Sequence, residues 1–118
     1  MASEQEEREK AFLELQDRAQ TNVDLLRRVL QSERAATVTK QRMELVMAEL
    51  KAVPDSAPIY QQIGRAYFLE PKAAVLKDGE ETIKAATTEA EVCKKKMETL
   101  EKKLAETKKE MQELAKAS

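Results

Sequence analysis

The sequence lacks histidine and tryptophan, and it has one cysteine, two glycines and only 3% aromatic residues. Histidine is the commonest general base and metal ligand in proteins, and a single cysteine can form neither a zinc site nor an internal disulfide. The two glycines lie in neither a phosphate-binding loop nor a dinucleotide-binding motif. The sequence therefore predicts a protein that is not an enzyme and that holds no metal and no cofactor.

Long apolar runs and a surplus of one charge are absent as well. Lysine plus arginine (21) nearly balance aspartate plus glutamate (22), so no net field attracts nucleic acid or an anionic membrane. The N-terminus has no basic start followed by an apolar run, and no stretch is apolar for long enough to span a bilayer. We expect a soluble, cytoplasmic protein with no nucleic acid and no membrane among its partners.

Charged residues are abundant, at 36% of the 118 residues. Such a composition, with so few glycines and aromatic residues, is typical of long helices or a coiled coil rather than of a globular core. We expect one elongated domain over residues 1–118.

Residues 58–71 interrupt two long charged segments and contain most of the aromatic residues. Apolar and polar residues roughly alternate on either side of Gly64, as they do in strands. A two-residue turn at Gly64 and Arg65 puts glycine where a type II′ turn requires positive φ. The sequence therefore predicts a β-hairpin over about residues 58–70. Its register pairs Ile59 with Glu70, Tyr60 with Leu69, Gln61 with Phe68, Gln62 with Tyr67, and Ile63 with Ala66.

This hairpin has no polar face, and both of its edges are unpaired. A two-stranded hairpin is marginally stable in water, and exposed strand edges invite pairing with other chains. We therefore expect partner chains to bury it.

The first helix is predicted over about residues 4–53. Ser3 and Glu6 have the spacing of a capping box, and Pro54 restricts the residue before it to extended conformations. The β-branched run Thr37–Thr39 has low helix propensity, so we expect a loose or bent stretch there. A seven-residue repeat follows Phe12, Leu15, Ala19, Asn22, Leu26, Val29, Glu33, Ala36, Lys40, Met43, Met47 and Leu50.

The second helix is predicted over about residues 72–116, with Pro71 suited to its start. Asp78 and Gly79 leave a later start open, but Leu76 is in phase with everything after it, which favours one helix. Its heptad positions are Leu76, Ile83, Ala90, Met97, Leu104 and Met111, with Gly79, Ala86, Cys93, Leu100, Thr107 and Leu114 three residues behind.

A hairpin turns the chain back, so the two helices should form an antiparallel coiled coil. The fold class is then mainly α: two long helices joined by one central β-hairpin. Placing Leu50 opposite Leu76 brings Met47 against Gly79, and Phe12 against Leu114 at the far tip. Leu13, one position off this seam, and Met111, near the end of the helix, should be partly exposed.

Two other candidate sites, a reactive thiol and a base-stacking surface, are better explained as structural features. Cys93 is a seam residue, so it is better explained as a small buried side chain than as a reactive thiol. Tyr60, Tyr67 and Phe68 have the aromatic rings that stack on nucleic-acid bases, but Arg65 is the lone basic residue near them, so core or interface is favoured.

The arrangement of two antiparallel helices around one hairpin, with Ile-Tyr-Gln-Gln-Ile-Gly-Arg-Ala-Tyr-Phe-Leu at residues 59–69, resembles a β-type subunit of the prefoldin family. The resemblance covers essentially the whole chain. Residues 10–12 and 15–16 are similar to the first helix of the eukaryotic subunit 1 branch of this family. The most specific positions of the hairpin region are Tyr60, Ile63, Gly64, Arg65, Phe68 and Lys72.

The resemblance implies a heterohexamer of two α-type and four β-type subunits, whose hairpins combine into β-barrels from which the coiled coils extend. It also implies an ATP-independent chaperone that holds unfolded actin, tubulin and other clients and passes them to the cytosolic chaperonin. Oligomerisation is then expected at Ile59, Tyr60, Ile63, Gly64, Tyr67, Phe68 and Leu69. Client binding is expected at the tip residues Phe12, Leu13, Leu15, Leu104, Met111 and Leu114.

Two alternatives remain at this point. The tip residues could simply complete the coiled coil, and pattern alone favours neither role over the other. The whole chain could also be a structural coiled-coil tether or scaffold without holdase activity, such as an extended parallel rod. The rod would place Phe12 and Leu114 about two helix lengths apart, whereas the antiparallel hairpin would bring them together.

Overall fold

The computed structural model describes residues 3–117, which form two long helices and a central two-stranded antiparallel sheet. The elements are α1 (Glu4–Ala52), β1 (Ile59–Ile63), β2 (Ala66–Glu70) and α2 (Lys72–Lys116). The predicted fold class is confirmed. Neither helix contains, over the described residues, an apolar stretch that could cross a bilayer.

The chain is organised as two compact units. The terminal unit comprises Met1–Glu33 and Val92–Ser118, of which residues 3–33 and 92–117 are described. The hairpin unit comprises Arg34–Glu91.

Helix α1 begins where the capping box predicts. The Ser3 hydroxyl accepts a hydrogen bond from the Glu6 amide at 3.2 Å, and the Ser3 carbonyl accepts one from the Glu7 amide at 3.0 Å. Acidic residues in this first turn also interact favourably with the positive end of the helix dipole.

The middle of α1 corrects one prediction. The sequence predicts a loose or bent stretch at Thr37–Thr39, but no loose stretch is observed, because α1 is a continuous helix through this run. The adjacent Ala36 is buried and Lys40 is half-buried, so packing at the seam continues on both sides of the run. Tertiary packing outweighs a propensity deficit of a few tenths of a kcal/mol per residue.

The hairpin has the predicted register at every pair from Ile59 with Glu70 to Ile63 with Ala66. Gly64 has φ of +63°, and no other described residue, including Arg65, has positive φ. Positive φ at the first central position alone is the signature of type II′ rather than type I′.

Helix α2 is continuous through Asp78 and Gly79, as predicted from the phase of Leu76. The packing explains why glycine stands at position 79. A Cβ atom there would lie 2.9 Å from Met47 Sδ and 3.3 Å from Met43 Sδ, distances that are too short for ordinary contact. The predicted pairing of Met47 with Gly79 is therefore observed, and the absent side chain makes the close approach possible.

The seam of the coiled coil lies where the heptads predict. Every heptad position named above is buried or half-buried in the structure. Cys93 is among the buried ones, in agreement with its interpretation as a small core residue. The most buried seam residues are Leu15, Ala36, Met47, Gly79, Ala86, Cys93 and Thr107.

Candidate functional site

The hairpin exposes large apolar side chains on both of its faces. Because neighbours along a strand point to opposite sides, Tyr60, Tyr67 and Leu69 lie on one face and Ile63 and Phe68 on the other. Each of these side chains is at least half exposed, and Leu69 is 65% exposed. The surface is therefore apolar on both sides and uncovered within the chain.

The remaining two predicted oligomerisation residues lie at the ends of this surface. Ile59 is half-buried where the hairpin meets the helices, whereas Gly64 is exposed at the turn. A Cβ atom at position 64 would meet no atom within 4 Å, so space does not require a glycine there. The positive φ is what favours glycine, because residues with a Cβ atom adopt this backbone angle only at an energetic cost.

Lys72 ties the base of the hairpin to the end of α1. Its Nζ donates hydrogen bonds to the Val53 carbonyl at 2.7 Å and to Asp55 Oδ1 at 2.9 Å. The hydrogen bond from Lys72, reinforced by the charge of its ammonium group, lowers the pKa of Asp55 below its ordinary value. The Lys72 side chain is largely buried and Asp55 is open to solvent, so the carbonyl contact is the better shielded of the two.

The ends of the two helices come together in the terminal unit. Arg8 Nη1 donates a hydrogen bond to the Ala117 carbonyl at 2.7 Å. Phe12, Leu13 and Leu114 line one open groove of about 550 Å³. The extended-rod alternative is therefore wrong, because it would separate Phe12 from Leu114.

The six predicted client-binding residues differ in their exposure. Leu13 is 60% exposed, as expected for a residue off the seam. Leu15 is buried, so its side chain offers little surface. Phe12 and Met111 line a second groove of about 340 Å³, and Leu104 is half-buried further along α2. The structure thus brings Phe12, Leu13, Met111 and Leu114 together at the helix ends, and leaves Leu104 outside both grooves.

Exposed apolar residues also occur on α1 in the hairpin unit, where the heptad analysis did not place any. Leu45 is 67% exposed, and Val38 and Val46 are more than a third exposed. The seven-residue spacing of Val38 and Leu45, out of phase with the seam, was the available signal. No cluster of metal-ligating side chains is present among residues 3–117.

Three comparisons place this architecture among known proteins. Residues 11–118 match the family model described as Prefoldin subunit. The chain is 32% identical over 106 residues to Prefoldin subunit 1 of Arabidopsis thaliana, an alignment that covers 88% of this chain and 81% of that protein. Its fold is similar to the crystal structure of the prefoldin beta subunit from Thermococcus strain KS-1. That match has a TM-score of 0.78 at 16% identity and covers 87% of this chain and 90% of the other.

Proposed function

Since the chain belongs to the prefoldin subunit family, we propose that it is a β-type subunit of a hexameric, ATP-independent chaperone of the cytoplasm. In this assembly it joins two α-type and three further β-type subunits through its hairpin. The helix ends hold unfolded clients such as actin and tubulin, which pass to the cytosolic chaperonin.

The observation that carries this proposal is the uncovered hairpin. A strand pair with exposed apolar residues on both faces and two free edges is a surface for sheet extension by other chains. Covering Tyr67, Leu69 and Phe68 removes apolar area from water, which stabilises an assembly by roughly 25 cal/mol per Å². Within residues 3–117, no helix or further strand covers these hairpin side chains.

Client capture is supported by the helix ends. Leu13, Phe12 and Leu114 border an open groove whose apolar lining is accessible to an extended segment of another protein. One such site binds weakly, but several copies on one assembly acting on one client gain avidity. Capture by many weak sites needs no nucleotide, because each site releases its segment by ordinary dissociation.

Assembly is tested by mixing the full chain with an α-type prefoldin subunit and measuring the native mass. A hexamer is expected for the wild type, and its loss is expected for Leu69→Ser. Leu45→Ser is the matched control, since it removes the same side chain at a nearly equal exposure of 67% against 65% on a helix rather than the hairpin. A stable monomer of the wild type, or equal loss with both variants, would contradict the proposal.

Client binding is tested on the assembled complex by diluting unfolded actin from denaturant and following light scattering. The complex should suppress aggregation without ATP, and added cytosolic chaperonin should then take up the held actin. An intact hexamer that leaves the scattering of actin unchanged would show that the chain is a scaffold without holdase activity.

A further inference from the structure

A groove with an apolar floor and a basic border runs along the helices of the terminal unit. Leu25 and Val29 of α1 and Val92 and Leu100 of α2 form its floor, and its volume is about 540 Å³. Leu25 and Val92 are 39% and 41% exposed, so this floor is accessible to a ligand. It lies away from the groove at Phe12 and Leu13, with which it shares no lining residue.

The border of this groove carries charge of one sign. Lys95, Lys96 and Lys103 line it together with Thr99, and no carboxylate does. These three lysines are exposed, and none of them forms an ion pair within the described part of the chain. The exposed Arg28, three residues after Leu25, adds a further cation one helical turn away.

This concentration of positive charge is local. Another groove of the same unit, lined by Leu15 and Leu114, has three carboxylates on its border, from Glu14, Glu110 and Glu113, beside one cation, Arg18. The chain as a whole has a net charge of −1. The basic border therefore attracts an acidic ligand to this groove in particular and not to the protein surface in general.

The spacing of the border residues fits a helix. Val92 and Thr99 are seven residues apart, as are Lys96 and Lys103, so a β-branched residue followed four positions later by a lysine recurs every two turns of α2. A third helix that packs against such a repeat places apolar residues on the floor and its flanking residues beside the lysines. From Val92 to Lys103 the groove is roughly 16 Å long at 1.5 Å per residue, which corresponds to about three turns of a bound helix.

We propose that this groove binds an acidic amphipathic helix of a partner protein. The bound helix has leucine-like residues at heptad spacing on one face, with aspartate or glutamate flanking them. Attraction between the acidic residues of this helix and the lysines of the border orients the helix and accelerates its association. The floor provides the apolar area that becomes buried on binding. Single-stranded nucleic acid fits less well, since the floor is aliphatic and has no aromatic ring on which bases stack.

The test is fluorescence anisotropy of a labelled peptide of about 16 residues with the full chain. The peptide has leucines at heptad positions and glutamates beside them. Binding is expected at low salt and should weaken as ionic strength rises, because the Debye length shrinks from about 10 Å at 0.1 M to about 3 Å at 1 M. Lys96→Glu with Lys103→Glu should weaken binding about tenfold, since two attractions become repulsions.

The matched control is Lys94→Glu with Lys102→Glu. It makes the same change in net charge on the same helix, at exposed positions that do not line the groove, and binding should change less than about threefold. Leu25→Glu tests the floor independently and should also weaken binding, while circular dichroism checks that each variant remains helical. None of these measurements requires assembly with other subunits, so they are independent of the proposed chaperone function.

Three results would overturn the proposal. The first is equal binding of a peptide with lysine in place of each glutamate. The second is equal loss of binding in the groove variant and the control variant. The third is competition by single-stranded oligothymidylate at a lower concentration than the peptide itself, which would assign the groove to nucleic acid.

Discussion

The hairpin and the helical seam place their apolar side chains in opposite environments. In the seam, small side chains such as Ala86 and Cys93 are buried against the facing helix. In the hairpin, large side chains such as Tyr67 and Leu69 are more exposed than buried. The chain thus covers the apolar residues of its seam and leaves those of its hairpin exposed.

The difference follows from what each element can satisfy within one chain. Each helix forms its backbone hydrogen bonds internally and needs a partner along only one stripe, which the other helix provides. A two-stranded sheet keeps two unpaired edges and two faces, and among residues 3–117 no further strand pairs with those edges. The helices therefore cover their apolar stripes within the chain. The hairpin leaves its apolar faces exposed, which is why we propose that it is the element that assembles with partner subunits.

Of the substitutions that separate the role of the hairpin from that of the helices, Gly64→Val is expected to have the largest effect. A Cβ atom at position 64 meets no atom within 4 Å, so the change acts mainly through the positive φ of +63°, which a β-branched residue resists. We expect loss of hexamer formation with little change in helix content. Native mass spectrometry with an α-type subunit, together with circular dichroism, measures both.

Gly64→Asn is the control for this prediction, because asparagine adopts positive φ more readily than valine. It should retain much of the assembly that valine abolishes. An unchanged oligomer in Gly64→Val would mean that the turn conformation does not matter for association.

The next largest effect is expected in the seam, where Gly79→Val should lower the stability of the chain. An added Cβ would lie 2.9 Å from Met47 Sδ, and Met47 is only 5% exposed and has little room to move. Overpacking costs typically 1–3 kcal/mol, and the better helix propensity of valine returns a few tenths, so the free energy of unfolding should fall by about 1–2 kcal/mol. Urea unfolding of the full chain measures this loss.

Met47→Ala in the same chain sharpens the prediction. If the two side chains compete for one space, the double variant should be more stable than the sum of the single changes predicts. Strict additivity of the two changes would contradict the packing explanation.

The fold could be predicted from the sequence because the spacing of apolar residues changes from a seven-residue repeat in the helices to alternation in the hairpin. Leu76, Ile83 and the positions after them keep one phase, which predicted a continuous α2 in spite of Gly79. The turn at Gly64 fixed every pair of the hairpin register. The loose stretch predicted at Thr37–Thr39 is not observed, because local propensity was weighed without the packing of Ala36 beside it.

The candidate surfaces were predictable only in part. Leu13 was expected to be exposed because it lies one position off the seam, and it is. The lysine-bordered groove was missed because its floor combines flanking residues of both helices, Leu25 and Val92, which no repeat along a single helix reveals. Leu45 was missed because its spacing from Val38 forms a short repeat on the face opposite the seam.

A smaller effect is expected from Leu13→Ser combined with Met111→Ser. Both residues lie at the helix ends, where Leu13 is exposed and Met111 lines a groove, so the hexamer should form normally. Protection of unfolded actin should fall several-fold, because the helix ends of this subunit lose apolar contact area and the assembly loses part of its avidity. Light scattering of diluted actin measures the protection.

Leu45→Ser is again the control, since it removes a leucine of similar exposure, 67% against 60% for Leu13, from the other unit. It should leave protection unchanged. Equal losses in the two proteins would assign client capture to exposed apolar residues in general, and undiminished protection by the double variant would refute the assignment to the helix ends.

The smallest effect is expected at the base of the hairpin, from Asp55→Asn. Lys72 lowers the pKa of the Asp55 carboxyl in the folded chain, so this pair stabilises the fold fully above the ordinary pKa of the group and progressively less as pH falls through the lowered value. The variant should therefore be slightly less stable than the wild type at neutral pH and equal to it in strong acid, as measured by melting temperature against pH. Lys72→Met should cost more at every pH, because it also leaves the Val53 carbonyl without its donor. A larger loss in Asp55→Asn than in Lys72→Met would mean that the exposed ion pair, and not the shielded carbonyl contact, holds the hairpin to α1.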